Sequence, residues 1–117
     1  DDDAMGEDRS LLIRISYKYA SFCFEQENWV VSREYFKRCF ELEKEEYGFA
    51  SYDALKTASL LIQTELQLGH VKKAQKRLQR CLKKLDCLDK NDEYDKKLIK
   101  TFKKLGKKVS QRSSKKK

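Results

Sequence analysis

Apolar residues recur along this chain at intervals of three and four, the period of a helix with one buried face. Five helices are predicted on that pattern. The first, about 9–26, carries Leu12, Ile15, Tyr19 and Phe22 inward, and the second, about 30–46, carries Ser32, Phe36, Cys39 and Phe40 before stopping at Gly48. Ser51 is placed to N-cap a third helix, about 52–68, with Leu55, Ala58, Ile62 and Leu66 inward and Gly69 at its end. The fourth, about 71–86, is the clearest amphipathic segment. Val71, Ala74, Leu78, Cys81, Leu82 and Leu85 form one stripe, and Lys72, Lys73, Lys76, Arg77, Arg80, Lys83 and Lys84 cover the rest. Asn91 and Asp92 precede a fifth, about 92–108, with Tyr94, Leu98, Phe102 and Leu105 inward.

The pattern repeats. A shift of 42 residues places Trp29 on Val71, Ser32 on Ala74, Phe36 on Leu78, Cys39 on Cys81 and Phe40 on Leu82. It also places Tyr19 on Leu61, Ala20 on Ile62, Phe24 on Leu66, Glu27 on Gly69, and Tyr52-Asp53 on Tyr94-Asp95, so a third unit begins near the C-terminus and is not completed. Small residues (Ser32, Ala74 and the two cysteines) recur where two helices approach closely.

Helix–turn–helix pairs with a small residue after the turn, a large one four later and a small one seven later resemble tetratricopeptide repeats. Here the triplets are Ser32, Phe36, Cys39 and Ala74, Leu78, Cys81. The 42-residue period and the stretch from Glu45 to Ala54 between pairs are similar to the kinesin-light-chain variety, over about residues 10–86. Residues 92–108 are similar to the solvating helix that closes such arrays. Three positions depart from the family: Glu27 stands where a turn glycine is usual, Ile62 where a small residue is usual, and no proline ends a repeat. The expected fold is all-α: antiparallel helix-hairpin repeats, two pairs plus a C-terminal capping helix, a fragment of an α-solenoid. The expected organisation is a disordered acidic start over 1–8, one helical domain over 9–108 and a disordered basic tail over 109–117.

Composition agrees with slender helices that each keep one wet face. Of 117 residues, 39% are hydrophobic and 39% charged, with no proline and four glycines, against roughly 45–50% and about 25% in average globular chains. Charge is divided unevenly. Residues 1–69 hold 8 Lys/Arg and 14 Asp/Glu, and residues 70–117 hold 19 and 5, opposite balances of −6 and +14 within a net +8. The C-terminal half therefore attracts acidic partners, whether nucleic acid, an acidic protein segment or an anionic surface. No apolar run is long enough to span a membrane, and Asp1-Asp2-Asp3 reverses the basic start of a signal peptide, so a cytoplasmic or nuclear location is expected.

Chemistry finds no foothold. The cysteines at 23, 39, 81 and 87 are spaced 16, 42 and 6 apart with a single histidine, His70, which matches no zinc pattern, and a reducing compartment argues against disulfides. His70 follows Gly69 in a tight turn, no Gly-rich phosphate loop exists, and no cysteine has a histidine partner. Glu41, Glu43, Glu45 and Glu46 read as a solvated helix end. No catalytic residue, metal or cofactor is expected, and the chain is read as not an enzyme.

Binding is the function expected instead. Stacked helix pairs create a concave surface lined by the first helix of each pair. The resemblance implies that Arg14, Tyr17, Ser21 and Phe24 from the first pair and Lys56, Ser59, Gln63 and Gln67 from the second hold a peptide or helix of a partner protein. Tyr17 and Phe24 read equally as packing residues. The family's clamp for chaperone C-termini uses a lysine and an asparagine at the positions of Tyr17 and Ser21, so that ligand is not expected. The alternative site is basic: Lys72, Lys76, Arg80 and Lys84 at one-turn spacing, Lys96, Lys100 and Lys104 likewise, then Lys107 and Lys108. Neutralising phosphates needs only charge, whereas the absence of aromatic platforms in this half argues against specific single-strand readout. The end of the chain reads either as solubilising or as a nuclear-localisation or nucleic-acid segment. Leu11, Leu12, Ile15, Tyr17, Tyr19, Phe22 and Phe24 spread over more than one face of the first helix. It is expected to lie between other helices, continue a longer array or meet a partner chain, self-association included.

Overall fold

A computed structural model describes residues 2–114. Among them five α-helices follow one another: α1 (Asp2–Glu25), α2 (Trp29–Tyr47), α3 (Tyr52–Gln67), α4 (Val71–Leu82) and α5 (Glu93–Ser114), with a 3₁₀ turn at Leu85–Cys87. No strand occurs among the described residues, and none of their helices is long and apolar enough to cross a membrane.

Local signals explain the boundaries. Ser51 caps α3, its hydroxyl oxygen accepting from the Ala54 amide at 3.2 Å while its proton goes to the Gly48 carbonyl at 2.8 Å. Asp92 alone caps α5, taking the amides of Tyr94 and Asp95 at 2.9 and 3.1 Å, while Asn91 donates its own amide to Asp89. The α1–α2 and α3–α4 turns are built alike. Asn28 and His70 each donate a backbone N–H, at 2.8 Å, to the carbonyls of Cys23 and Glu65, and the residues before them, Glu27 and Gly69, are left-handed at φ 60° and 79°. Glu27 thus does the work of a C-terminal glycine despite its Cβ, at a cost of about 1 kcal/mol.

Each helix packs on its neighbour in the chain, and α3 also packs on α5. Ser32 Oγ donates to the Ala20 carbonyl at 3.0 Å and Cys39 Sγ lies 3.6 Å from that of Ile13, so α2 runs antiparallel to α1. Cys39 lies 4.0 Å from Thr57 Oγ1, and Arg33 lies 3.8 Å from Glu65, so α3 reverses again. By contrast α5 runs in the same direction as α3: Tyr52 meets Tyr94 edge-on at 6.3 Å, and Arg112 donates to the Leu66 carbonyl at 2.7 Å. One core results, with Phe36, Phe40, Leu55, Ile62, Leu78, Cys81 and Phe102 at its heart, each large side chain worth about 2–3 kcal/mol in burial. Glu65, fully buried on α3, is held by Arg77 at 2.9 Å and by Arg33, tying α2, α3 and α4 together.

Several expectations are corrected. On α1 the buried stripe is Ile13, Ser16, Ala20 and Cys23, and Leu12, Ile15, Tyr19 and Phe22 are exposed. The reason is distance: Ser32 bonds the backbone of Ala20 directly, and around that contact the seam admits the small side chains Ser16, Ala20 and Cys23. α4 stops at Leu82, which is exposed; the chain turns there, and Leu88 fills the core beyond it. Tyr94, expected inward, is exposed on the first turn of α5. Glu43 is buried rather than solvated, while Glu41, Glu45 and Glu46 are exposed. Residues 2–8, set aside as part of a disordered start, lie in α1. The described part of 109–117 belongs to α5, because Val109 continues its buried stripe; Asp1 and 115–117 lie outside the described residues.

Candidate functional site

Three adjoining hollows run along the side of the molecule where α1, α3 and α5 lie. The first, about 250 Å³, is bordered by Arg14, Tyr17 and Lys18 of α1, Tyr47 of α2, and Asp53 and Lys56 of α3. The second, about 310 Å³, joins Tyr17 to Tyr52, Lys56, Ser59 and Gln63 of α3 and to Lys97, Leu98 and Thr101 of α5. The third, about 240 Å³, joins Phe24 to Gln63, Leu66 and Gln67 of α3 and to Lys108, Gln111 and Arg112 of α5. Tyr17 and Lys56 border both the first and the second, and Gln63 borders both the second and the third, which makes them one groove.

Of the eight expected groove residues, the structure brings Arg14, Tyr17, Phe24, Lys56, Ser59, Gln63 and Gln67 to it. Ser21, half-buried on α1, borders none of the hollows. Tyr17 packs edge-on against Phe36 at 6.0 Å, and Phe24 against Trp29 at 5.1 Å, so both are anchored in the core and also face the groove. Ser59 is buried with its hydroxyl given to the Lys56 carbonyl at 2.6 Å, which leaves it a wall rather than a donor to a ligand.

Electrostatics favour an anion in this groove. The Lys56 ammonium stands 5.6 Å from the centre of the Tyr17 ring. Burial lowers its pKa, but the adjacent Tyr17 hydroxyl, with Tyr52 and Asp53, outweighs that and leaves it raised, so Lys56 is a cation at neutral pH. Arg14, Lys18, Lys97 and Lys108 add further positive charge against Asp53 and the largely buried Glu43.

The wall supplied by α5 escaped sequence reasoning, which placed Lys108 with the basic face and did not single out Lys97, Thr101 or Gln111. A signal existed. The 42-residue shift that places Tyr52 on Tyr94 also places Ser59 on Thr101. Arg112, read as part of a flexible end, instead satisfies the C-terminal carbonyl of Leu66.

The basic candidates lie elsewhere and face water. Lys72, Lys76 and Arg80 occupy the outer side of α4, Lys84 follows its end, and Lys96, Lys100, Lys104 and Lys107 stand on α5. Cys23, Cys39 and Cys81 are free and buried, and Cys87 is free and exposed. Burial raises the Cys39 thiol and pushes Cys81 up to about 12, so neither is a thiolate nucleophile at neutral pH. His70, half-buried at the N-cap of α4, leaves its Nδ1 without a hydrogen-bond partner among the described residues. Among the described residues no group of three His, Cys, Asp or Glu side chains is placed to hold a metal ion. Compared with models of protein families, with curated proteins and with solved structures, the chain matches none.

Proposed function

We propose that this chain is a protein-interaction module. In this reading two tetratricopeptide-like helical pairs and a capping α5 form a short solenoid, whose groove holds a peptide or helix of a partner protein. The supporting observation is that α1, α3 and α5, far apart in sequence, border one groove whose hollows are joined by Tyr17 of α1 and by Lys56 and Gln63 of α3. Its chemistry suits a segment with acidic residues for Arg14, Lys56, Lys97 and Lys108 and an apolar side chain for Phe24 and Leu66. The test is capture of partner proteins from cytosolic and nuclear extracts by the double variant Tyr17→Ala, Lys56→Glu. Losing an aromatic contact and reversing a charge is expected to weaken binding at least tenfold, about 1.4 kcal/mol, with the helical circular dichroism retained. Undiminished capture refutes the groove.

A second reading rests on a separate observation. Lys72, Lys76 and Arg80 on α4 and Lys96, Lys100, Lys104 and Lys107 on α5 are exposed at helical spacing, and no acidic residue follows Asp95. On this reading the basic face binds the backbone of RNA or DNA, or an anionic surface, through charge alone. Duplex and single-stranded oligonucleotides at about 50 mM salt decide it, since phosphate contacts are strong there: no measurable affinity removes the idea.

A further inference from the structure

Leu11, Leu12, Ile15, Tyr19 and Phe22 form an exposed apolar face on α1, turned away from the groove. Leu12 is 53% exposed, Ile15 55% and Phe22 58%, and Tyr19, still 46% exposed, meets Tyr35 of α2 edge-on at 4.8 Å. Within the face α1 places no charge, because Lys18 and Arg14 line the groove instead; charged residues of α2, among them Arg33, Lys37 and Arg38, flank it at Leu12. Its spacing is that of a helix seam: Leu12, Ile15, Tyr19 and Phe22 are separated by three, four and three residues, as in helices paired at a shallow angle. The 42-residue shift places these four on Ala54, Thr57, Leu61 and Thr64 of α3, all fully buried, Thr57 against Cys39 of α2. α1 therefore presents, uncovered, the side that α3 uses to seat a neighbouring helix.

We propose that this face joins two copies of the chain in a twofold-symmetric, antiparallel pair of α1 helices. Head-to-tail stacking is excluded by the far end of the molecule. There α5 carries Lys96, Lys100, Lys104 and Lys107, all exposed and none bordering the groove. Four ammonium groups at those positions offer no seat to an apolar helix. A self-complementary contact uses only the α1 face. Antiparallel pairing sets Leu12 on the partner subunit's Phe22 and Ile15 on the partner subunit's Tyr19, and one twofold axis serves both layers. The five half-exposed side chains offer on the order of 100 Å² each. Two copies then bury about 1,000 Å² in all, the level at which specific interfaces begin.

Sedimentation equilibrium of the whole chain from about 1 to 100 μM, a range that spans weak to moderate association, tests the proposal. The expected result is a species of twice the 13.9 kDa chain mass. Phe22→Glu and Ile15→Lys are each expected to raise the dimer dissociation constant at least 100-fold. Circular dichroism is expected to stay unchanged, because both side chains already face water. A chain that stays monomeric throughout, or a dimer indifferent to both variants, overturns the proposal. Orientation is read in a Cys87→Ser background: Leu12→Cys with Phe22→Cys gives an oxidised covalent dimer, whereas a dimer linked by Leu12→Cys alone means a parallel pair and refutes the arrangement.

Discussion

Glu43 is 4% exposed on α2, and its carboxyl accepts a 3.3 Å hydrogen bond from the Cys39 thiol. Burial lifts its pKa from 4.5 to about 7, against the opposing hydrogen bonds from Thr57 and Cys39. Between those values the unfolded chain releases the proton while the folded chain keeps it. Stability therefore falls as pH rises from 4.5 to about 7 and stays at the lower level above. The hollow beside Glu43 admits solvent, which holds the effect to about 1–2 kcal/mol. Glu43→Gln is expected to exceed the native chain by that amount at pH 8 and to match it at pH 4, as read by urea unfolding. An equal difference at both values sinks the assignment. Glu43 was not legible as buried, because Glu41, Glu45 and Glu46 around it are exposed and only the approach of α3 covers it. Glu27 was illegible for a different reason. Its left-handed turn is imposed by the bonds at Cys23 and Phe24, which a residue's intrinsic preference does not reveal.

At the scale of elements, α5 is both a cap on the core and a wall of the groove. Phe102 is fully buried among Leu98, Leu105 and Val109, and Phe102→Ala is expected to cost about 3–5 kcal/mol in urea unfolding. A loss under about 1 kcal/mol would mean that α5 is not docked, since a filled aromatic site cannot be emptied so cheaply. The stripes of α2, α3 and α5, Tyr94 apart, were legible because Phe36, Phe40, Leu55, Ile62, Leu98 and Phe102 recur at helical spacing and are buried. On α1 that rule fails. Two stripes compete, the seam takes the smaller residues Ser16, Ala20 and Cys23, and the larger ones are left for another surface. Partner geometry, which periodicity does not contain, decided between them.

The whole molecule, 54 × 34 × 21 Å, carries charge balances of −6 over residues 1–69 and +14 over 70–117. If the basic face of α4 and α5 takes nucleic acid, affinity is expected to fall with salt at a log–log slope of about −4 for four or five phosphates neutralised. Oligonucleotide titrations between about 50 and 200 mM salt read it, and replacing Lys100 and Lys104 by Gln is expected to reduce the slope by about two. An unchanged slope would place the contacts elsewhere. Groove binding by a partner protein is expected to change less steeply, since Tyr17, Phe24 and Leu66 contribute apolar contact that salt does not screen.

Helical class, helix number, the turns at Gly48 and Gly69, and the caps at Ser51 and Asp92 were all determined by the sequence alone. Each depends on residues within one turn of one another, and so on local sterics and hydrogen bonding. Tertiary structure decided which face of α1 is buried, that Glu43 and Glu65 leave water, and that α5 lies beside α3 to complete a groove. Those outcomes depend on how closely helices distant in the chain approach, and the free energy of burial is assigned only when they meet.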